Sequence, residues 1–159
     1  MSQLHQRRYL KCPYNRAREL LAETAAVPAA ANGQERLLHL TLPVPGVEGA
    51  ELGKDVRVTI EPGADPKGFD EPWKLHWEPV SGGIYPDFDG TLTIRADETY
   101  ETSMLELQGS YKPPLGAAGA LFDAVLGSRI AHETARELLR KLGGTIEERY
   151  RAGEAAKNH

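Results

Sequence analysis

The long amphipathic stretch near the C-terminal end of the chain constrains the fold most strongly. It follows Pro113 and Pro114, which lack a backbone N–H and therefore end a strand and favour the first turn of a helix. Beyond them, apolar residues recur at steps of three and four: Leu121, Phe122, Val125, Leu126, Ile130, Leu138, Leu139, Leu142 and Ile146. This period predicts one long helix that reaches about Tyr150 and buries a single face.

Alternating apolar and polar residues precede the prolines and predict β-strands. The predicted strands are Leu4–Cys12, Arg36–Leu42, Lys54–Glu61, Trp73–Glu78, Gly90–Ala96 and Tyr100–Tyr111. One or two short helices follow the first strand: Asn15–Thr24 has helical spacing, and residues 25–31 form either a second helix or a loop. Short connections between consecutive strands, such as Asp97–Glu98, favour antiparallel pairing.

The order of these elements predicts an α+β fold with one apolar and one polar sheet face. The C-terminal helix is the only predicted element large enough to cover the apolar face. We therefore expect a curved antiparallel sheet of about six strands wrapped around that helix. With 159 residues, the chain is predicted to form a single domain over residues 1–151, followed by a polar tail over residues 152–159.

Composition excludes several classes of function. The formal net charge of −4 argues against sequence-independent nucleic-acid binding and against attraction to an anionic membrane. No apolar stretch is long enough for membrane insertion. Cys12 is the only cysteine, so no intrachain disulfide can form, which favours a reducing, cytoplasmic location. The oligomeric state stays open.

The histidines give no acid–base cluster. Strand parity places His5, His39 and His76 away from the apolar face, and His132 falls on the polar half of the long helix. A metal site is not predicted, because Cys12 stands alone and no other ligand-type residues recur at metal-ligand spacing. No cofactor motif is present either, so we expect none.

Three stretches of the sequence resemble the START-like, or SRPBCC, superfamily. They are residues 12–21 after the first strand, residues 77–92 with a tryptophan strand and hairpin, and residues 107–116 together with Asp123. The order of elements is similar over nearly the whole chain. The resemblance implies the helix-grip fold and an apolar cavity between sheet and long helix. The superfamily includes lipid carriers, quinone-binding proteins, and polyketide cyclases and aromatases, and no catalytic motif carries over.

Together these observations favour a binding or carrier protein for a hydrophobic small molecule such as a lipid, polyketide or quinone. A ligand in the cavity would contact Arg8, Trp73, Trp77, Leu92, Ile94, Leu105, Leu107, Tyr111, Phe122, Leu126 and Ile130. Arg8 or Tyr111 would orient its polar end, and Asp123 is a candidate partner for Arg8, since a buried arginine needs a counter-charge.

Two alternatives remain open from the sequence. In the first, the same cavity belongs to a cyclase or aromatase in which a tyrosine or arginine polarises a carbonyl group. An inward pairing of Arg8 with Asp123 or Tyr111 would favour that enzyme. In the second, the protein is an interaction module without a cavity, and Trp73, Trp77 and Phe122 fill the space between sheet and helix.

Overall fold

The computed structural model describes residues 2–26, 35–43, 51–61, 72–80, 86–112 and 120–157. The elements are β1 (Ser2–Leu10), α1 (Tyr14–Ala26), β2 (Glu35–Pro43), β3 (Glu51–Glu61), β4 (Trp73–Pro79), β5 (Asp87–Ala96), β6 (Ser103–Lys112) and α2 (Ala120–Lys157). Within the described ranges one short helix follows the first strand; it includes residues 25–26 of the stretch 25–31 where a second helix was considered, and residues 27–31 lie outside those ranges. Among the described helices, none is both long and apolar enough to cross a membrane.

The strands form one antiparallel sheet in the order β1-β6-β5-β4-β3-β2. Strands β2 to β6 are a meander, because each pairs with the next along the chain. Strand β1 joins the sheet beside β6, the last strand. The architecture is thus the predicted α+β one, in which a long C-terminal helix packs against an antiparallel sheet.

Both edge strands of the sheet contact the same helix. Arg8 of β1 bonds to Glu147 of α2 at 3.2 Å, and Lys141 of α2 donates to the carbonyl oxygen of His39 of β2 at 3.0 Å. In a flat sheet the first and sixth strands would stand about 24 Å apart, whereas a helix is only about 10 Å across. The sheet must therefore curl around α2, which is the arrangement that a helix-grip fold requires.

A pair of glycines facing each other across β5 and β6 accommodates this curl. Gly90 and Gly109 are register partners, and a Cβ atom on either would collide with the ring of Phe88 and with a carbonyl oxygen of the neighbouring strand. The two backbones thus approach each other too closely for any side chain. Because only glycine fits such a contact, the pair marks a crease in the sheet.

The turn between β5 and β6 is longer than the predicted Asp97–Glu98 connection, so β6 begins at Ser103 and not at Tyr100. The Asp97 carboxylate organises this turn by accepting hydrogen bonds from the Glu98 backbone N–H at 2.8 Å and the Thr102 hydroxyl at 2.6 Å. Tyr100 adopts a φ of 59°, in the left-handed region. Alternation alone did not reveal this side-chain cap.

Helix α2 also ends later than predicted. Residues 152–157, expected to be part of a polar tail, continue the helix to Lys157. Lys157 lies 3.3 Å from Glu154 one turn earlier, an (i, i+3) pair that supports the last turn. Exposure of these residues does not prevent a helix, because the preceding turns of α2 already provide a nucleus from which the helix extends.

Candidate functional site

A row of four apolar side chains, three of them aromatic, crosses the inner face of the sheet, the face turned towards α2. Val58, Trp77, Phe88 and Tyr111 are consecutive register partners on β3, β4, β5 and β6. The rings of Trp77 and Phe88 stack with centroids 4.3 Å apart. The indole N–H of Trp77 donates to the carbonyl oxygen of Pro86 at 3.0 Å, so its polar atom is satisfied inside the core.

Four of the predicted ligand-contacting residues form a packed layer. Trp77, Leu92, Leu105 and Leu107 each have 0% of their surface exposed to solvent. Since even a water-sized probe does not reach them, no open cavity touches these side chains in this structure. A ligand could contact them only after the sheet and helix move apart. We call these four buried side chains the apolar floor of the inner face.

The remaining predicted residues lie closer to accessible space. Ile94 is 8% exposed and Tyr111 is 5% exposed, while Trp73 and Ile130 are half-buried against the core. Phe122 and Leu126 belong to the first turns of α2, but their side chains lie outside the described set. Among the described apolar and aromatic side chains of the predicted contact set, Trp73, Ile94, Tyr111 and Ile130 are therefore the ones that keep some exposed surface, and Ile94 also lines a groove beside Arg95 and Glu106.

His132 belongs to this inner region, contrary to its predicted place on the polar half of the helix. It is half-buried, and its ring meets Tyr111 edge-on with centroids 6.5 Å apart. The Nδ1 atom lies 2.7 Å from the carbonyl oxygen of Ser128, one helical turn earlier. Neither Nε2 of His132 nor the Tyr111 hydroxyl has a hydrogen-bond partner among the described residues.

A sequence signal for His132 did exist. The residue lies three positions before Ala135 and seven before Leu139, spacings that put all three on one side of a helix. Ala135 is 0% and Leu139 1% exposed, so that side faces the core. Because histidine was counted as a polar residue, the helical spacing did not predict an inward position for His132. A half-buried histidine nevertheless presents an apolar ring as well as polar atoms.

Arg8 lies at the opposite end of the inner face and does not meet its predicted partners. Its guanidinium bonds to Glu147 at 3.2 Å, and the second oxygen of Glu147 accepts the backbone N–H of Lys11 at 2.9 Å. Tyr111 pairs in register with Ser2, six residues from Arg8, which is about 20 Å along a strand. Glu147, nearly seven helical turns after Asp123 along α2, takes the place that the sequence suggested for Asp123.

Helix α2 approaches β1 closely beside Arg8. A Cβ atom on Gly143 would lie 2.7 Å from Cδ of Arg8 and 3.0 Å from Cδ2 of Leu10, whereas a Cβ on Gly144 would meet nothing within 4 Å. Gly143 thus allows the helix and strand to touch. The Nε atom of Arg8 is buried there without a hydrogen-bond partner in the described part of the chain, which makes this contact electrostatically costly.

The outer face of the sheet carries cross-strand charge pairs, as strand parity predicted for His39 and His76. His39 lies 2.6 Å from Asp55, and His76 lies 2.8 Å from Asp89. Each of these pairs joins adjacent strands and is solvent-exposed. Contacts of this kind contribute at most about 1 kcal/mol each, so they support the sheet without marking a reactive centre.

Glu106 is the buried member of this outer surface. Its side chain is 7% exposed and contacts His5 at 2.9 Å, Arg7 at 3.2 Å and Arg95 at 2.7 Å. Burial by itself would raise the pKa of Glu106, but the hydrogen bonds from Arg95 and His5 outweigh it and hold the pKa below its usual range. Glu106 and Arg95 also line an open groove of about 650 Å³ on this face.

Cys12 is an unreactive core thiol. It has 0% exposed surface, and burial raises the pKa of the thiol to about 11, against a smaller lowering by Arg16. A thiol in that state is a poor nucleophile and a poor metal ligand. Across the described ranges, no three side chains of the His, Cys, Asp or Glu type come together as a metal site would require.

Solved structures with the same architecture exist at low sequence identity. TTHA0849 from Thermus thermophilus matches with a TM-score of 0.53 at 15% identity, over 91% of this chain and 97% of its own. A START superfamily protein from Mycobacterium smegmatis matches with a TM-score of 0.50 at 10% identity, over 92% of this chain and 97% of its own.

The chain has a START-like fold. No protein-family model and no curated protein matches its sequence. The structural matches bear on architecture alone, because identities of 15% and 10% do not transfer a ligand or an activity. Function has to be argued from the residues of the inner face.

Proposed function

We propose that this protein binds and carries a hydrophobic small molecule, such as a lipid, polyketide or quinone, between the inner face of its sheet and the first half of α2. The observation that carries the proposal is the composition of that region. An apolar floor ends at one side in two polar groups that lack partners within the described ranges, the Tyr111 hydroxyl and His132 Nε2. Ligand sites commonly combine an apolar wall with a few such convergent polar groups.

The START-like fold supports this placement, because a sheet that curls around one helix brings two apolar surfaces face to face. On α2, the residues that face the sheet nearest His132 are small: Gly127, Ala131 and Ala135 are buried. Further along the helix the buried residues are larger: Leu138, Leu139 and Leu142. Within the described part of the helix, the buried residues between positions 127 and 135 are therefore smaller than those between positions 138 and 142.

The floor residues refine the predicted contact set. Trp73, Ile94, Tyr111 and Ile130, with Phe122 and Leu126 as proposed neighbours, form the initial contacts in our proposal. Trp77, Leu92, Leu105 and Leu107 become accessible only if ligand entry separates helix and sheet. Hydrophobic burial of about 25 cal/mol per Å² would supply the affinity, less the cost of that separation.

Arg8 is not part of the proposed site. Its charge is engaged by Glu147, and it lies about 20 Å along the sheet from Tyr111. Of the two polar groups considered for orienting a ligand, Tyr111 is therefore the one that we retain.

Native mass spectrometry of freshly purified protein tests the proposal. We expect a non-covalent adduct that is absent under denaturing conditions. Ile130→Trp should displace it by filling the accessible space, whereas Arg129→Trp, on the exposed neighbouring position, should retain it. The proposal fails if no adduct is found and if lauric acid, naphthalene and menadione all fail to bind in calorimetry.

The second candidate is a cyclase or aromatase-type enzyme acting in the same region. The Tyr111 hydroxyl favours it, since a hydroxyl without a partner in the described chain can donate a hydrogen bond to a carbonyl oxygen as negative charge develops there. Turnover of a poly-β-keto thioester by the wild-type protein, and its loss in Tyr111→Phe, would support the enzyme. Binding of that thioester without turnover would leave the carrier as the better description.

A further inference from the structure

A groove of about 650 Å³ on the outer face of the sheet has the composition of a second binding site. We propose that it binds a small aromatic anion: the guanidinium of Arg95 holds a carboxylate or phosphate group, and Tyr100 contacts the aromatic ring. The inference does not rest on the proposed function, because neither of these two side chains belongs to the inner face.

The groove lies where β5 extends beyond the described part of β4. The pairing of these strands ends with Trp73 opposite Leu92, so residues 93–96 have no strand partner on that side within the described ranges. All four of these residues line the groove, although alternate residues of a strand point to opposite faces. An uncovered strand edge explains this, and the volume is in the range of about 300–1,000 Å³ typical of small-molecule sites.

Arg95 supplies the positive charge. Its Nε donates to a carboxylate oxygen of Glu106 at 2.7 Å, and 57% of its side chain is exposed. Because a guanidinium is planar with its donors at fixed angles, the two Nη groups form a second, forked edge that matches a carboxylate or phosphate. No other acceptor in the described part of the chain lies within hydrogen-bond distance of this guanidinium. Water solvates that edge in the free protein, and an anion can replace the water.

Glu106 does not cancel this charge. Its carboxylate is also contacted by Arg7 at 3.2 Å, so two guanidinium groups share one carboxylate and leave one positive charge in excess. His5, 2.9 Å from the same carboxylate, adds no negative charge. Glu106 is the only carboxylate among the described residues that line the groove, and the acidic side chains of the turn 97–102 do not line it. The groove therefore favours an anion over a cation.

Tyr100 supplies an aromatic surface at a conformational cost. It adopts a φ of 59°, which a bulky residue rarely does, and it is 64% exposed. The turn uses only its backbone: its N–H donates to the carbonyl oxygen of Asp97 at 3.1 Å, and its carbonyl oxygen accepts the N–H of Tyr14 at 3.2 Å. Glycine would make both bonds without the strain. The turn therefore does not need the tyrosine ring, which is available to contact a ligand.

One molecule can contact both side chains, since Arg95 and Tyr100 line the same groove. Ile94 and Ala96 add apolar lining, which favours a hydrocarbon body over a fully polar one. Aromatic rings pack favourably against tyrosine, edge-on or offset. An aromatic carboxylate or an aryl phosphate combines these properties.

Isothermal titration calorimetry with 2-naphthoate, 2-naphthyl phosphate and the neutral 2-naphthamide tests the inference. We expect the wild-type protein to bind at least one anion about tenfold more tightly than the amide, because charge-assisted hydrogen bonds are gained. The tighter of the two anions identifies the group that is recognised. Backbone amide chemical shifts, measured by NMR, should change at residues 93–96 and Tyr100 when that anion is added.

Substitutions of the arginine separate its charge from its shape. Arg95→Met should abolish the preference for the anion and change the affinity for 2-naphthamide less than about twofold. Arg95→Lys keeps a charge beside Glu106 but lacks the second donor edge, so it should lose most of the preference as well. Arg136→Met, at an exposed arginine of α2, is the matched control and should bind as the wild type does.

Tyr100→Gly distinguishes recognition from a structural role. It should weaken the binding of all three naphthalenes about fivefold, because the aromatic contact is lost. Its unfolding temperature should equal or exceed that of the wild type, because the strain at φ of 59° is relieved.

Four results would overturn the inference: no binding of either anion at about 1 mM, equal affinities for the anions and the amide, an unchanged preference in Arg95→Met, or chemical shift changes confined to the inner face. A native adduct that persists alongside any of these results would leave the carrier function standing while this second site is rejected.

Discussion

The two ends of the inner face differ in how their polar groups are used. At the Arg8 end, the carboxylate of Glu147 takes both the guanidinium of Arg8 and the backbone N–H of Lys11. At the Tyr111 end, the phenol hydroxyl and Nε2 of His132 have no partner within the described chain. Both ends join the same helix to the same sheet.

This difference separates a structural contact from a recognition site. Groups that form hydrogen bonds with one another hold α2 against β1 and are not available to bind a ligand. Groups that have no partner within the described chain stay available to a bound molecule. We therefore assign tethering to the Arg8 end and propose recognition at the Tyr111 end, and three predictions test the first half of that assignment.

The alkylation rate of Cys12 measures how often the Arg8 end opens to solvent. Because its thiol pKa is raised to about 11, the reactive thiolate is rare at pH 8. We expect alkylation by iodoacetamide to be at least about 100-fold slower in the folded protein than in guanidinium-unfolded protein. Comparable rates in the two states would mean that this end opens freely and that the contrast between the ends is wrong.

Removing the shared carboxylate should loosen this end strongly. Glu147→Ala leaves the partly buried charge of Arg8 uncompensated and the Lys11 N–H without its acceptor, so the free energy of unfolding should fall by about 2–3 kcal/mol. Urea denaturation measures this value. Glu148→Ala, on the exposed adjacent position, should stay within about 0.5 kcal/mol of the wild type. Similar losses in both variants would contradict a specific tether.

The adjacent glycines of α2, Gly143 and Gly144, should respond to alanine substitution with stability changes that are small and opposite in sign. Gly143→Ala should destabilise the fold by about 1–2 kcal/mol, since its methyl group collides with Arg8. Gly144→Ala should instead stabilise it by up to about 1 kcal/mol, because open space surrounds that position and alanine favours the helix. Thermal unfolding distinguishes these opposite signs. If both variants gain stability, helix and strand are not in tight contact at Gly143.

Much of the fold could be predicted from the sequence because its periods are strong. Alternation located the inward positions of β3 to β6: Val58, Trp77, Leu92 and Leu107 are all buried on the inner face. The beginning of β6 could not be predicted in this way, because the Asp97 side chain determines the turn through hydrogen bonds that leave no periodic trace.

The candidate site was less accessible to sequence reasoning. The inward parity of Arg8 was correct, but its partner depended on how far α2 runs beside β1, and only the three-dimensional arrangement reveals Glu147. Periodicity also could not say whether an inward residue lines a space or fills it. Trp73 and Trp77 have the same parity, yet one is half-buried and the other has no exposed surface.

The glycine pair that creases the sheet has a consequence for redesign. Curvature at Gly90 and Gly109 is set by the main chain, while the ring of Phe88 occupies the room that their missing side chains leave. Bend and interior volume are therefore controlled by different residues. A variant with a larger interior should therefore carry a smaller side chain at Phe88 and keep both glycines, so that the sheet stays curved around the helix while the interior volume increases.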